Sequence, residues 1–228
     1  EAWTEREIDV LLSATKNLGL DPSRITTVSE PRAAAQYYTR AKPLEPGSKI
    51  GVFDFGGGTL DVAVLQSTPE GTFNVISAHG DNQIGGKNFD AQIRRWVDAQ
   101  LEEEHPDALG YLRTSASIEQ LYSLDDSIRR AKELLSETQT ATISVPSGAE
   151  SIKLQITRGE LEAIIAPALQ AAYDLTQRTF ATAGISSPAD LTALYLTGGS
   201  SRIPAVHELL STLGPIATLD DPKTVVAQ

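Results

Sequence analysis

The chain has 228 residues, 40% of them apolar, so it can bury a core as one large domain or two small ones and is not a disordered chain. Its net charge of −11 and pI near 4.7 argue against a nucleic-acid surface, which needs clustered Lys and Arg. It has no cysteine, which excludes disulfides, thiolate chemistry and structural zinc. His79, His105 and His207 stand singly, as surface or packing residues and not as a ligand set. No apolar run reaches the roughly 18 residues that a spanning helix needs, no secretory leader is visible, and the cytoplasm is the expected compartment. The lack of methionine and the opening inside a helix-start pattern mark the chain as a piece of a longer protein.

In chain order, Thr4 and Glu7 form a capping box for an amphipathic helix over residues 5–18, with Ile8, Leu11, Leu12, Thr15 and Leu18 on one face and Gly19 at its end. A short strand is predicted at Ile25 to Val28, then an alanine-rich helix from Pro31 to Arg40. Pro43 to Ser48 is the clearest boundary. Three strands follow at about 50–55, 60–66 and 72–78, then a helix at about 87–103 with Phe89, Ile93, Trp96, Val97 and Leu101 at helical spacing. Residues 105–156 read as an insertion. It holds a helix capped by Ser117 and Gln120, with Ile118, Leu121, Ile128, Ala131 and Leu135 inward, and a hairpin turning at Pro146-Ser147-Gly148. Thr157 and Glu160 cap a long helix that stops at Gly184, the strand Leu191 to Leu196 runs into Gly198-Gly199, and Pro204 opens the last helix. The order is that of a mixed α/β layer with helices against a sheet.

The stretch from Ile50 to Leu65 carries the most chemistry. It reads as a β-hairpin whose alternating residues Ile50, Val52, Leu60, Val62 and Val64 give one face to a core. Gly56, Gly57 and Gly58 make a loop without Cβ atoms, where backbone N–H groups can approach an anion. Asp54 and Asp61 fall nearly opposite each other across the turn, and Thr59 adds a hydroxyl at the tip. Two carboxylates beside a phosphate call for a cation, and Mg²⁺ suits such oxygen ligands. Taken alone, the hairpin is equally a plain glycine turn with two solvated aspartates. A second glycine turn at Gly198 and Gly199, between a strand and a helix, offers free N–H groups to phosphate.

Together with the Gly85-Gly86 turn these loops make a constellation, and the chain resembles the seventy-kilodalton heat-shock chaperone (DnaK-type) ATPase domain of the actin-like superfamily. The matching residues are Ser29-Glu30-Pro31-Arg32-Ala33-Ala34-Ala35, Phe53 to Val62, Gly85-Gly86-Lys87-Asn88-Phe89-Asp90, Arg130-Ala131-Lys132 with Leu135-Ser136, and Gly198 to Pro204, in order along essentially the whole chain. The resemblance implies an actin-like (ribonuclease-H-like) α/β lobe with an α+β insertion subdomain. Residues 1–45 would be a remnant of the first lobe, 46–85 and 157–228 the core of the second, and 86–156 a subdomain at the cleft edge.

It also implies ATP or ADP with Mg²⁺ as ligands. Glu30, Asp54 and Asp61 would be catalytic, with Asp54 and Asp61 holding the metal through water. Gly56, Gly57, Gly58 and Thr59 would bind the terminal phosphates, and Gly85 and Gly86 belong to the same set. Gly198 and Gly199 would face the α-phosphate and ribose, while Ser200, Arg202 and Ile203 line the base. Lys132 and Ser136 would stand on the ribose and adenine side, where the plain alternative is the polar face of an amphipathic helix. Expected partners are nucleotide, a co-chaperone, a nucleotide-exchange factor and unfolded client protein, without nucleic acid or a membrane segment. The full-length protein would hydrolyse ATP, whereas this piece, lacking the first phosphate loop and the catalytic lysine, would not.

Three departures stand out. Arg129 and Glu133 occupy positions where the family usually has Glu and Arg, and Lys223 replaces an acid near the nucleotide. These feed one alternative, a non-catalytic scaffold on this fold, and a small-molecule kinase of the sugar-kinase type is the other.

Overall fold

The computed structural model describes residues 5–39 and 44–217. Five strands form one sheet: β1 (Lys49–Phe55), β2 (Leu60–Ser67), β3 (Phe73–Asp81), β6 (Ala193–Thr197) and β7 (Ile216–Ala217), in the order β3-β2-β1-β6-β7. The first three run antiparallel as a meander, while β6 and β7 join β1 in parallel. Two further strands, β4 (Thr140–Ser147) and β5 (Glu150–Thr157), pair as a separate hairpin. The helices are α1 (Glu5–Asn17), α2 (Glu30–Thr39), α3 (Gly86–Glu104), α4 (Pro106–Thr114), α5 (Ile118–Leu134), α6 (Arg158–Thr182) and α7 (Pro204–Ser211).

Both faces of the sheet are buried, which corrects the one-faced hairpin expected from the alternation. Ile50, Val52, Ala63, Leu65, Ala193 and Tyr195 face α2, where Ala34, Ala35 and Tyr38 meet them. Phe53, Phe55, Leu60, Val62, Val64, Leu194 and Leu196 face the larger core under α3, α6 and α7. The reason is register. Val52 lies opposite Ala63 and Phe53 opposite Val62, so Ile50 and Val52 fall on the face away from Leu60, Val62 and Val64. Gly51 brings the two layers close: a Cβ there would lie 2.7 Å from Leu194 Cδ1 and 3.3 Å from Phe180 Cζ of α6.

The larger core continues without a break into the 105–156 segment. Phe89, Ile93, Val97 and Leu101 of α3 meet Leu124, Ile128, Ala131 and Leu135 of the α5 stretch, and Ile143, Val145 and Ile156 of the hairpin close the far side. Both capping boxes form, at Ser117 with Gln120 and at Thr157 with Glu160. The Arg158 side chain reaches back to the Leu135 carbonyl at 2.8 Å and so caps the end of the preceding helix. The hairpin turns one residue later than expected, at Gly148 with φ +66, and Pro146 stays within β4.

Three local expectations differ from what forms. Residues Ile25 to Val28 make no strand; a 3-10 turn at Pro22–Arg24, capped by Asp21, precedes them, and no described strand pairs with them. Ile118 is 67% exposed, because the inward face of α5 is phased on Leu124, Ile128 and Leu135 and the first helical residue falls off that stripe. Helix α1 forms and ends before Gly19 at φ +81, yet none of its side chains is buried. Thr4, of the expected capping box, lies outside the described residues. Among the described residues no helix is long and apolar enough to cross a membrane.

Candidate functional site

The turn between β1 and β2 owes its shape to its neighbours. The Gly56 N–H donates to the Thr59 carbonyl at 2.9 Å and closes the loop. The first amides of α3 then seize its carbonyls: Gly86 N–H donates to Gly56 O at 3.1 Å and Lys87 N–H to Gly57 O at 2.7 Å. The free N–H groups of this helix start are thereby satisfied by the loop. A peptide is planar and trans, so a carbonyl held back toward α3 sends the next residue's N–H the opposite way. Gly57 and Gly58 are those next residues, and among the described residues their N–H groups donate to no backbone acceptor.

Neither glycine is needed for backbone strain or for packing. Neither has positive φ, and a Cβ on either would meet nothing within 4 Å. At both residues the side on which a Cβ would stand is open. Behind them Gly85 is packed tightly, since a Cβ there would lie 2.7 Å from Gly58 C and 3.0 Å from Gly57 O. Gly85 therefore serves the loop's support, while Gly57 and Gly58 serve its open side.

The carboxylates gather by strand parity. Asp54 and Asp61 are direct cross-strand partners, and both lie on the α2 face, in step with Val52 and Ala63. Helix α2 starts at Glu30 on that side. The Asp54 carboxyl is pushed up to about 6 by burial first, then by the charges of Glu30 and Asp61. Among the described residues no three acidic or histidine side chains converge closely enough to hold an ion directly. Asp54 and Asp61 are carboxylate oxygen donors of the kind that Mg²⁺ takes. Tyr38 seals the floor: its ring stacks on Tyr195 at 4.1 Å, its hydroxyl donates to Leu196 O at 2.5 Å, and burial and the Asp54 charge raise its pKa.

The second glycine loop locks against the first. Gly198 has φ +81, and a Cβ there would run into the Phe55 carbonyl and lie 2.7 Å from Asp54 Oδ1, so this position admits only glycine. Ser200 Oγ donates to Gly56 O at 3.0 Å, and Ser201 bonds back to the Thr197 carbonyl. Gly199 opens the 3-10 turn that ends at Arg202, which is exposed, whereas Ile203 is buried in the larger core. On the insertion side Lys132 is buried; its ammonium donates to Gly86 O at 2.8 Å and lies 2.7 Å from Asp90 Oδ1. Ser136, half-buried, follows one turn later. Arg129 is exposed and turned back along α5 onto Asp126, the carboxylate that also pairs with Arg130 at 2.7 Å. Lys223 lies outside the described residues.

The structure thus brings Asp54, Asp61, the 56–58 loop, Gly85, Gly86, Lys132, Gly198 and Ser200 into one connected site, with Glu30 close enough to act on Asp54. Ile203 joins that network only through its N–H, which donates to the Ser200 carbonyl at 3.2 Å, and Arg202 flanks it.

The sequence model of the Hsp70 protein matches residues 3–226. The chain belongs to the Hsp70 family. Its mixed five-stranded sheet with helices on both faces is an actin-like ATPase lobe of that family. Membership makes this a chaperone-type, ATPase-related domain. Two features of the Hsp70 site were missed from the sequence. Asp90 carries no local sign of its partner Lys132, which lies on another helix, and the Tyr38–Tyr195 stack joins residues on separate elements that no local pattern connects.

Proposed function

We propose that this chain is the second nucleotide-binding lobe of a DnaK-type chaperone ATPase, which binds the phosphates of Mg-ATP at Gly57, Gly58 and Thr59. The observation that carries the reading is the pair of amides at Gly57 and Gly58, which donate to no backbone acceptor among the described residues and point away from the helix start that grips the carbonyls behind them. Such fixed donors suit a transferring phosphoryl group, whose stabilisation is mostly positioning and electrostatics. Asp54 and Asp61 would hold Mg²⁺ through water, and the bound ion would neutralise the phosphates and offset the burial and the neighbouring charges that lift the Asp54 pKa. Glu30, exposed at the edge of the carboxylate group, would orient an attacking water. Gly198 and Gly199 would take the α-phosphate and ribose side, and Lys132 and Ser136 the ribose and adenine side.

In the full-length protein, nucleotide would bridge this lobe and another, and hydrolysis would shift their closure, provided ATP binds the two states unequally. Residues 86–156 would then act as a lid at the cleft edge. Co-chaperone, exchange factor and client protein follow on family grounds, as does a cytoplasmic site. A scaffold reading has two observations in its favour: Ile203 is buried in the core and Arg129 is held by Asp126, which leaves the base wall thin.

Alanine at Gly57 and at Gly58 tests the main reading. Both variants should melt within about 0.5 kcal/mol of the parent, as surface substitutions do, while affinity for Mg-ADP falls at least about tenfold because methyl groups fill the phosphate's place. Unchanged affinity in both would refute the assignment.

A further inference from the structure

Lys132 and Asp90 meet inside the site. Asp90 Oδ1 is sealed from solvent and accepts no hydrogen bond among the described residues, so the Lys132 ammonium at 2.7 Å is what compensates it. An uncompensated buried charge is strongly destabilising, and the two are therefore held as a unit. The ammonium has three N–H groups. One goes to Gly86 O at 2.8 Å and the Asp90 carboxylate occupies a second direction, which leaves one. Its location is defined by Gly86: the point where a side chain would begin there lies 3.1 Å from Lys132 Nζ, 3.0 Å from Ser200 Oγ and 3.5 Å from Gly57 Cα. The ammonium thus borders the loop whose amides face phosphate. A lysine free in that place would be a phosphate clamp.

We propose that Asp90 is a positioning residue that decides what Lys132 can hold: it fixes the ammonium over Gly86 and cancels its charge, so that this edge of the site takes a neutral sugar hydroxyl in preference to a phosphate oxygen. The inference rests on the nucleotide-site reading above and deepens it. Without Asp90 the same ammonium becomes an unpaired cation beside the phosphates, and the ligand's charge begins to matter where before it did not.

The experiment is a ligand-observed NMR titration of the 228-residue chain with adenosine, AMP and Mg-ADP at low and moderate salt. The proteins are the parent, Asp90→Asn, Lys132→Gln, the double variant and Asp90→Glu, each checked for a cooperative melt. Asp90→Asn should favour AMP and ADP over adenosine by about fivefold, the order that one unit charge gives several ångströms away across a half-exposed cleft. Added salt should erase most of that gain. In the Lys132→Gln background the Asp90→Asn effect should vanish, because the carboxylate acts through the ammonium, and Asp90→Glu should keep the parental preference. A preference shift of the same size with and without Lys132 overturns the proposal, as does an equal loss for all three ligands. A well-folded parent that binds none of them overturns the nucleotide-site reading and the role of Asp90 with it, whereas normal binding with an unmoved preference removes Asp90 alone.

Discussion

Replacing Asp54 by Asn should stabilise the metal-free protein at neutral pH, an unusual outcome for a substitution in a functional site. The native Asp54 carboxyl is pushed from 3.8 to about 6 by burial, Glu30 and Asp61. At about 1.4 kcal/mol per pKa unit, holding this group ionised in the folded state costs on the order of 2–3 kcal/mol. The folded state keeps its proton to higher pH than the unfolded state does. Stability from this source is therefore complete below about pH 4, declines as pH rises through about 6, and is flat above.

Asn is neutral and nearly the same shape, so thermal melts in EDTA at about pH 7.5 should show a gain of roughly 2 kcal/mol, or about 4–8 °C for a chain of this size. At about pH 3 parent and variant should nearly coincide, since Asp54 is then largely protonated in the folded and the unfolded state alike. Millimolar Mg²⁺ should raise the parent at neutral pH and the variant much less. A variant that melts lower than the parent at neutral pH, or that differs from it equally at both pH values, would refute the account of three crowded carboxylates.

Further outcomes follow from the same geometry. Asp54→Ala in the full-length protein should lower ATP turnover by about 10² or more, since positioned charge supplies most of such catalysis; steady-state phosphate release measures it, and a parental rate would contradict the site. Gly198→Ala, at φ +81 against the Phe55 carbonyl, should cost at least about 2 kcal/mol in a urea melt, in contrast to alanine at Gly57 or Gly58. Discrimination between ATP and GTP should be weaker than about tenfold, because Arg129 is engaged with Asp126 and is not placed to pair with a base; competitive titration of the two nucleotides decides it.

Much of the architecture could be read from local pattern. Phe89, Ile93, Val97 and Leu101 recur at helical spacing and line one face of α3, and the Ser117 and Thr157 caps mark two helix starts correctly. The opposition of Asp54 and Asp61 followed from the length of the turn, and the register confirms it. What escaped depended on partners far along the chain. Ile25 to Val28 has strand-like residues, but a strand is defined by its neighbour, and none is there. The alternation in β1 and β2 was real, yet two helical layers, not one, decide how many faces are buried. Helix α4, opened by Pro106, was absorbed into an undivided insertion. Gly85 and Gly86 enter the expected site by resemblance alone, and local sequence does not show that Gly85 is packed against the 57–58 peptide or that the Gly86 N–H is spent on Gly56. Sequence shows a glycine and not which side of it is empty.

The Gly56 carbonyl receives both the Gly86 N–H and the Ser200 hydroxyl, the second from 144 residues away along the chain. Closing so wide a loop rewards the chain only after the intervening helices and strands have found their places. The 56–58 loop should thus be among the last parts to be set during folding, whatever the order in which its flanking hairpin forms. Refolding should therefore recover helical circular dichroism before it recovers nucleotide binding, and a nucleotide signal that led the helical one would refute this. Until that junction closes, an emerging chain would carry the residues of the site and none of its grip.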